Sequence, residues 1–386
     1  MKIERLIVAG LRASGSGYPN ADQTLKLLSD DGCVAVRDLG KPLPPDLHLW
    51  TLRTQAAHKK LLALVKLGLG NLLSLIRVVG TTRGGKDPVY VPYPSLFFMW
   101  LASWMPGPLR PHCIVDAYIS VWDTMFRDRS QAQGNSLASR WIKRIEARAL
   151  RAAALVLVDT QANRACLIDD FGLDPGRVRS LPLAIDEDAF LAVPPRPATV
   201  DDDVVRVLFV GTLIPLHGVC AIVAAMRRLL DDPSQRNRFH FRFIGDGQLG
   251  SLLEEFVARH DARHVSWVRE WRPLQAIASE IEGSDICLGV FGGEGKAARV
   301  LPFKLYMYLA AGRAVISQAA MSLPDNAPMP PVVLVDSADE AALVDALAAL
   351  AMDRDRRRRL AEDGRAYYRR WLSGERVLDA WRQILS

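Results

Sequence analysis

Three cations follow a glycine-rich loop late in the chain. Lys296, Arg299 and Lys304 lie between an apolar run at 286–290 and a helical stretch that ends at Gly312. The start of a helix offers free backbone N–H groups and the positive end of its dipole, so it suits an anion. Three further positive charges at that place indicate a ligand with several negative charges. We therefore predict a phosphate or diphosphate site in this loop.

A carboxylate ends an apolar run in the first half of the chain. Asp116 directly follows Cys-Ile-Val at 113–115. At the carboxyl end of a parallel strand, its side chain could orient a substrate hydroxyl or act as a general base. Asp123 suits a helix cap equally well. Asp116 is therefore the predicted catalytic carboxylate.

The elements that must position these residues follow a regular pattern. Short apolar runs alternate with helical periodicity, which is typical of parallel βαβ units. A proline-rich stretch at 192–197 runs into three aspartates at 201–203 and indicates a linker. A chain of 386 residues also exceeds the size at which one hydrophobic core stops growing. We predict two α/β, Rossmann-like, doubly wound domains, residues 1–195 and 196–369, with a cleft between them.

Charge and cysteine usage narrow the class of protein. The net charge is +6, from 49 Lys and Arg against 43 Asp and Glu. This excess fits an anionic substrate or an anionic membrane surface, and equally an ordinary solvated surface. No zinc-finger spacing, RNA-binding signature or basic tail accompanies it, so no nucleic-acid partner is expected. Five scattered cysteines without a Cys-x-x-Cys pair argue against disulfides and zinc.

The N-terminus and the acidic pairs give two further expectations. The first ten residues carry too much charge for a secretory signal, and their apolar run is too short. We therefore expect a cytoplasmic protein. No Asp-x-Asp pair lies in a loop that follows a strand, because the aspartates at 201–203 belong to the linker. We therefore expect neither a metal nor another cofactor.

One segment departs from the α/β pattern. Residues 58–77 carry Lys59, Lys60, Lys66 and Arg77 among many leucines, with no acidic residue. Its uninterrupted apolar stretches are shorter than the ~20 residues of a spanning helix. A basic amphipathic helix can lie in a bilayer interface. A domain helix buried on one face is the alternative, and the sequence favours neither, so a peripheral position on the inner face of the membrane stays open.

Several segments in a fixed order resemble a known family. The chain is similar to GT-B glycosyltransferases of the family 4 type, which move sugars from nucleotide diphosphate donors. The resemblance covers roughly 116–316 and is weaker at the N-terminus. It implies that residues 370–386 complete the first domain. The segments are Leu-Val-Asp-Thr at 157–160, Phe-Gly at 171–172, residues 182–190, residues 208–219, Phe-Ile-Gly-Asp-Gly at 243–247 and the cationic loop up to Gly312.

The resemblance implies a role for each candidate residue. Lys296, Arg299 and Lys304 would hold the donor diphosphate, and the last two would stabilise the charge that builds on the leaving nucleotide. Gly211 and Thr212 would offer donors to the same phosphates. The remaining predicted substrate-binding residues are Gly15 and Gly17, which would let the first domain approach the diphosphate, His217, which would reach phosphate or acceptor, and Glu294.

The chain also departs from the family pattern. Many members carry two glutamates in this region, and Arg299 and Met307 stand at those positions here. The later glutamate is associated with the donor ribose. Glu294 is the nearest acid in the loop and could substitute for it. A subset of bacterial members has the same Pro-Leu-His-Gly loop and lysine–arginine–lysine set, which favours a variant diphosphate site over a lost one.

The resemblance implies a function together with its alternatives. We expect transfer of a sugar, with retention of configuration, from a nucleotide diphosphate-sugar to a glycan or polyprenyl-linked glycan in cell-surface polysaccharide synthesis. A non-catalytic nucleotide-sugar-binding relative that supports a partner transferase is one alternative. A GT-B sugar-nucleotide epimerase is the other, although it would need acid and base carboxylates that the sequence does not reveal.

Overall fold

The chain forms two compact units. The computed structural model describes residues 5–14, 19–44, 57–82, 87–128, 136–196, 204–337 and 339–386. Unit 1 comprises Met1–Ala184 and Val377–Ser386, and unit 2 comprises Ile185–Arg376. The boundary predicted from the sequence, after residue 195, lies further along the chain than this division.

Unit 1 contains a sheet of six parallel strands in the order β3-β1-β5-β6-β7-β8, and a short parallel pair β2-β4. All connections from β3 onward move in one direction across the large sheet, as repeated right-handed βαβ units require. The strands are β1 (Arg5–Val8), β2 (Leu11–Arg12), β3 (Ala35–Asp38), β4 (Lys41–Pro42), β5 (Pro88–Val91), β6 (His112–Asp116), β7 (Leu155–Val158) and β8 (Val178–Ser180).

Helices cover both faces of this sheet. Side chains alternate along a strand, so Ile7 of β1 packs in one apolar layer and Leu6 in the other. The layer with Ile7 is covered by α2, α3, α4 and α5, and the layer with Leu6 by α1 and the C-terminal helix α13. The helices are α1 (Pro19–Asp31), α2 (Ala57–Thr81), α3 (Leu96–Ala102), α4 (Leu137–Ala152), α5 (Gln161–Phe171) and α13 (Gly374–Ile384).

Unit 2 repeats this architecture with six parallel strands in the order β11-β10-β9-β12-β13-β14. Its strands are β9 (Val205–Val210), β10 (Phe239–Ile244), β11 (Val265–Val268), β12 (Ile286–Leu288), β13 (Ala314–Gln318) and β14 (Val333–Val335). Its helices are α6 (Glu187–Leu191), α7 (Val219–Asp231), α8 (Gly250–Ala258), α9 (Leu274–Glu282), α10 (Phe303–Ala310), α11 (Glu340–Met352) and α12 (Arg354–Trp371).

The strand order of unit 2 reverses between β9 and β12. From β9 the chain first builds outward through β10 and β11, and it then returns to place β12, β13 and β14 on the other side. Ligands of open parallel sheets bind at the carboxyl ends of the strands at such a switch point. The cationic loop follows β12, so the topology places it there.

Candidate active site

Glycines bring the loops after β9, β10 and β12 into backbone contact. A Cβ added to Gly245 would lie 2.4 Å from the carbonyl oxygen of Gly211, and one added to Gly292 would lie 2.0 Å from that of Leu216. Gly245 also has a φ of +114°, which favours glycine. Any side chain at these positions would push the loops apart. The three loops therefore form one closely packed rim at the switch point of unit 2.

Lys304 is buried beside this rim. It lies in the first turn of α10, and its Nζ lies 3.8 Å from the centroid of the Phe209 ring at the end of β9. A Cβ on Gly211 would lie 2.9 Å from Nζ, so the ammonium group rests against that glycine. Nζ has no hydrogen-bond partner among the described residues, and burial lowers its pKa well below the usual value. A buried cation without an acceptor is costly, and a bound anion would remove that cost.

Gly211 contributes space and no hydrogen-bond donor. Its N–H donates to the carbonyl of Ile244 at 2.9 Å, which is an ordinary interstrand bond. The role expected from the sequence, a backbone donor to phosphate, does not fit this geometry, because the N–H is already used. What the position requires is the absence of a side chain next to Lys304. Thr212, the next residue, is exposed and accepts bonds through its carbonyl.

His217 borders the same space as a neutral ring. Its Nδ1 lies 2.5 Å from the carbonyl oxygen of Thr212, and because a carbonyl only accepts, the proton is on Nδ1. Its ring also meets the edge of Phe209, with 6.1 Å between the centroids. Burial and then the charge of Lys304 lower the pKa of His217 to about 3. At neutral pH His217 therefore offers Nε2 as an uncharged polar group.

Two residues that the sequence analysis missed hold the loop after β12. The buried Gln318 accepts the N–H of Gly293 through Oε1 at 2.8 Å and donates through Nε2 to the carbonyl of Gly293 at 3.1 Å. The hydroxyl of Ser317 lies 3.2 Å from the N–H of Val290. The available signal was the polar pair Ser-Gln that ends the apolar strand β13. These side chains fix the course of the loop that leads to the predicted cations.

The other loop residues differ in exposure. Lys296 precedes a 3-10 turn (Ala297–Arg299), and the N–H of Arg299 donates to the Lys296 carbonyl at 3.1 Å. Both side chains are half-buried, whereas Glu294 is exposed. Met307 is buried within α10, so this position provides no acceptor for a ribose hydroxyl. The predicted Gly15 and Gly17 lie outside the described residues.

Asp116 is a fully buried carboxylate of unit 1. It ends β6, and its Oδ2 accepts the hydroxyl of Tyr90 at 2.6 Å, while Oδ1 has no hydrogen-bond partner among the described residues. The hydroxyl of Ser95 donates to its main-chain carbonyl at 2.7 Å. Burial raises the pKa of Asp116 to about 7, against the effects of the Tyr90 hydroxyl and of the backbone N–H of Tyr93. A carboxyl group that titrates near neutrality suits a general base or acid.

Glu146 is buried like Asp116, but its carboxylate holds the backbone of a neighbouring turn. Its two oxygens accept the N–H groups of Val121 and Trp122 at 3.0 and 2.8 Å, and burial raises its pKa to about 7. It thereby caps the helical turn after β6, a role for which the sequence offered Asp123 as a candidate. Asp123 instead pairs with Arg127 at 3.2 Å. Nothing in the sequence distinguishes Glu146 from an exposed residue of a basic helix.

Parts of the sequence match known proteins. Residues 204–353 match the sequence model of the family described as glycosyl transferases group 1. The D-inositol 3-phosphate glycosyltransferase of Kineococcus radiotolerans is 34% identical over 112 residues, which are 28% of this chain and 26% of that protein. The protein of the same name from Geodermatophilus obscurus is 36% identical over 84 residues, 20% of this chain and 19% of that one. The matched segments thus span about a quarter or less of these relatives.

Solved structures extend the likeness to the whole fold. Sucrose-phosphate synthase from Thermosynechococcus elongatus superposes with a TM-score of 0.71 at 16% identity, over 99% of this chain and 98% of that one. Anabaena HepE in complex with UDP and glucose gives 0.68 at 14%, over 99% of each chain. The chain has the GT-B fold, and its residues 204–353 match the group 1 glycosyl transferases. The predicted α/β, GT-B fold is confirmed.

Proposed function

We propose that this protein transfers a sugar from a nucleotide diphosphate-sugar to a glycan or polyprenyl-linked glycan, with retention of configuration, at the cytoplasmic face of the membrane during cell-surface polysaccharide assembly. The observation that carries the proposal is the buried ammonium of Lys304 at the switch point of unit 2, for which the described part of the chain supplies no acceptor. The match of residues 204–353 to the group 1 glycosyl transferases supports it. HepE, a structural neighbour, was crystallised with UDP and glucose.

The donor side of the proposed reaction depends on charge. A nucleotide diphosphate-sugar brings two phosphates, and departure of the nucleoside diphosphate builds negative charge on the oxygen that leaves the sugar. Lys304, held beside Gly211, would bind that diphosphate as a point charge. Arg299 and Lys296 lie on the segment before α10, where an arginine can bind phosphate oxygens in a fork. These cations would do the neutralisation without a metal.

The acceptor side is assigned to unit 1. Asp116 carries an oxygen without a hydrogen-bond partner among the described residues, so it could accept a bond from a sugar hydroxyl. In the proposed retaining reaction, an oxygen of the leaving phosphate takes the proton of the incoming hydroxyl, and no protein nucleophile is needed. Asp116 would then orient the acceptor. Its raised pKa makes this role dependent on pH near neutrality.

A ligand screen tests the donor site directly. We expect one of UDP, GDP, dTDP, CDP or ADP to raise the thermal midpoint, and EDTA to leave that shift unchanged. Lys304→Met should abolish the shift, because methionine fills the same space without charge. It should leave the thermal midpoint of the free protein equal or higher, since it removes a buried cation that no described residue pairs with. The exposed Lys26→Met is the matched control.

Two outcomes would contradict the proposal. If no nucleotide stabilises the wild-type protein, the donor site is wrongly assigned. If a nucleotide stabilises it but no sugar is released or transferred with any acceptor extract, a non-catalytic nucleotide-sugar-binding protein is favoured. The buried Met307, in place of a ribose-binding acid, is the feature that supports this second candidate.

A further inference from the structure

One helix of unit 1 exposes an unusually large apolar face. Within α2, the segment Leu61–Thr81 has the length and the apolar composition of a helix that could cross a membrane. In the fold, one third of its most apolar 18 residues is buried. Leu61 is 65% exposed and Ile76 is 60% exposed. Single exposed leucines are ordinary, but contiguous apolar patches usually mark a binding surface. The large exposed apolar residues of α2 are Leu61, Leu62, Leu64, Val65, Leu69, Leu72, Leu73, Ile76 and Val79.

The opposite face of α2 is fixed to the folded unit. Asn71 accepts the N–H of Leu11 through Oδ1 at 3.1 Å, and the hydroxyl of Ser74 accepts the N–H of Gly10 at 2.9 Å. Val78 on the same face is fully buried in the apolar layer over the sheet. To cross a membrane, α2 would have to abandon these bonds and this layer. The helix is therefore anchored along its length, with only its outer face available to a partner.

The neighbouring helix α4 continues this surface with aromatic and basic residues. α2 packs on α3 and α3 packs on α4, and all three cover the same side of the sheet. The exposed residues of α4 recur at helical spacing and form one stripe. At its N-terminal end this stripe is apolar, and further along it is cationic. Its members are Leu137, Trp141, Arg144, Arg148 and Arg151.

A groove beside this stripe gathers further cations. It has a volume of about 760 Å3, and its basic lining is Arg110, Arg140 and Lys143 together with the arginines of the stripe. The guanidinium of Arg148 stacks over the ring of Trp104, 3.8 Å from its centroid, and Trp104 is 63% exposed. Exposed tryptophan beside arginine is the combination found at membrane–water interfaces, where the ring sits at headgroup level.

The charge on this surface has one sign. The sequences of α2, α3 and the loop 103–111 contain no aspartate or glutamate, and α2 adds exposed Lys59, Lys66 and Arg77. The one acid of α4, Glu146, is buried and serves backbone N–H groups. In the groove, Asp170 is already paired with Arg127 and Lys143. Such a face attracts an anionic surface and repels a second copy of itself.

We propose that the outer face of α2, α3 and α4 docks unit 1 on a bilayer that contains anionic phospholipid. α2 lies in the plane of the membrane with its leucines among the acyl chains, Trp104 and Trp141 lie at headgroup level, and the arginines of α4 contact lipid phosphates. Apolar area and electrostatic attraction together give stable peripheral binding. This inference does not depend on the proposed function, because binding to lipid is measured without any sugar transfer.

Flotation with lipid vesicles tests each half of the surface. The full chain should float with vesicles of phosphatidylcholine and about one third phosphatidylglycerol, and weakly with phosphatidylcholine alone. Leu69→Asp with Leu73→Asp removes apolar insertion and should abolish binding to both. Arg140→Gln with Arg144→Gln should weaken binding to the anionic vesicles by about 25-fold, at about fivefold for each charge. All four side chains are exposed, so the fold should survive.

Matched variants in unit 2 serve as controls. Met329→Asp changes an exposed apolar residue, and Arg356→Gln with Arg359→Gln removes two exposed charges of α12. Each should bind vesicles as the wild type does. The proposal is overturned if the wild type does not float with anionic vesicles, or if the α2 variants float as well as Met329→Asp.

Two further results would contradict docking in the plane of a bilayer. Resistance to extraction at alkaline pH would mean that α2 spans the membrane instead of lying in its plane. A wild-type dimer in solution that becomes monomeric with Leu69→Asp and Leu73→Asp would assign the face to a second copy. A monomer that alkaline extraction releases is the expected result.

Discussion

An alanine at position 211 would move the ammonium of Lys304 without removing it. The added Cβ would lie 2.9 Å from Nζ, the far end of a flexible side chain that can shift, and the φ of +149° would strain any residue other than glycine. We expect Gly211→Ala to lose about 1–2 kcal/mol of stability and to weaken nucleotide binding at least about tenfold. Calorimetric titration measures the affinity. Gly283→Ala, which has room for its Cβ, is the control, and equal affinity in both would refute the contact.

Asp116 makes stability depend on pH in a direction that can be worked out. The ordinary pKa of an aspartate is 3.8 and that of Asp116 in the folded chain is about 7, so between these values the folded chain keeps a proton that the unfolded chain has lost. The contribution is full below the unfolded pKa and disappears as the pH rises through about 7. Asp116→Asn removes this dependence. Between about pH 5 and about pH 8, the wild-type thermal midpoint should fall about 5 °C further than that of the variant.

The comparison between variant and wild type is needed because other buried groups titrate too. Glu146 has a similarly raised pKa and remains in both proteins, so its effect cancels in the difference. The depressed pKa of His217 acts in the opposite direction and cancels likewise. Parallel pH profiles for the two proteins would show that the Asp116 carboxyl group is ionised at neutral pH in the folded state.

Nucleotide binding should also take up a proton at Lys304 wherever the pH lies above the lowered pKa of this amine in the free protein. Burial lowers the pKa of this amine well below its usual value, and a bound diphosphate would raise it again by supplying the missing negative charge. The affinity should therefore rise as the pH falls toward that lowered pKa, and over the same range the binding enthalpy should vary with the ionisation enthalpy of the buffer. Titrations in phosphate-free buffers of differing ionisation enthalpy measure this uptake. Lys304→Arg, which stays charged, should bind without it.

The sequence predicted functional residues only where the surrounding pattern made a residue stand out. Lys304 stands out because a lysine begins an otherwise apolar helix, and Asp116 because it ends an apolar run. The role of Gly211 was not predictable, since whether an N–H is free depends on its partner strand. Glu146 was invisible for a similar reason: it is buried by contacts with a segment 24 residues away along the chain.

At the scale of elements, Gln318 connects a strand to the loop that carries the cations. Gln318→Leu leaves the partly buried N–H and carbonyl of Gly293 without the bonds that they have now, at a cost of about 1 kcal/mol for each group. We expect the loop to relax and the apparent affinity for nucleotide to fall about tenfold, while turnover at saturating donor changes little. Gln318→Glu keeps an acceptor for the N–H and should give an intermediate affinity. Gln275→Leu, at an exposed position of α9, is the control.

A different effect on turnover and donor KM would contradict this positioning role. If Gln318→Leu lowered turnover and left donor KM unchanged, the side chain would act on the reaction and not on the course of the loop. If it changed neither, the loop would be held by its other contacts, of which the hydroxyl of Ser317 is the nearest in sequence.

The elements themselves were more predictable than their contacts. Alternation of apolar runs with helical periodicity was sufficient for the doubly wound sheets, because each βαβ unit repeats the same pattern and the same hand. α2 shows the limit. Its sequence fits a buried domain helix and an interfacial helix equally, and the exposure of one face with the anchoring of the other is a property of the folded unit.

At the scale of the whole molecule, the two units should respond to different ligands. The proposed anion site lies in Ile185–Arg376, and the proposed lipid surface lies in Met1–Ala184. The net charge of +6 describes neither, since the cations that matter are a buried lysine in one unit and an arginine stripe on the other. Composition therefore indicated the class of ligand, an anion, without separating a diphosphate from a membrane.

Hydrogen exchange on the intact chain can separate the two ligands in one experiment. The nucleotide that stabilises the protein should slow exchange in peptides that contain the loops after β9 and β12 and the start of α10, because bound phosphates immobilise the rim around Lys304. Anionic vesicles should slow exchange in α2 and α4 and leave that rim unchanged. Lys304→Met should lose the first effect and keep the second, and Leu69→Asp with Leu73→Asp should do the reverse. If nucleotide instead protected only peptides around Asp116, the donor would bind unit 1, and the assignment of the diphosphate to Lys304 would be wrong.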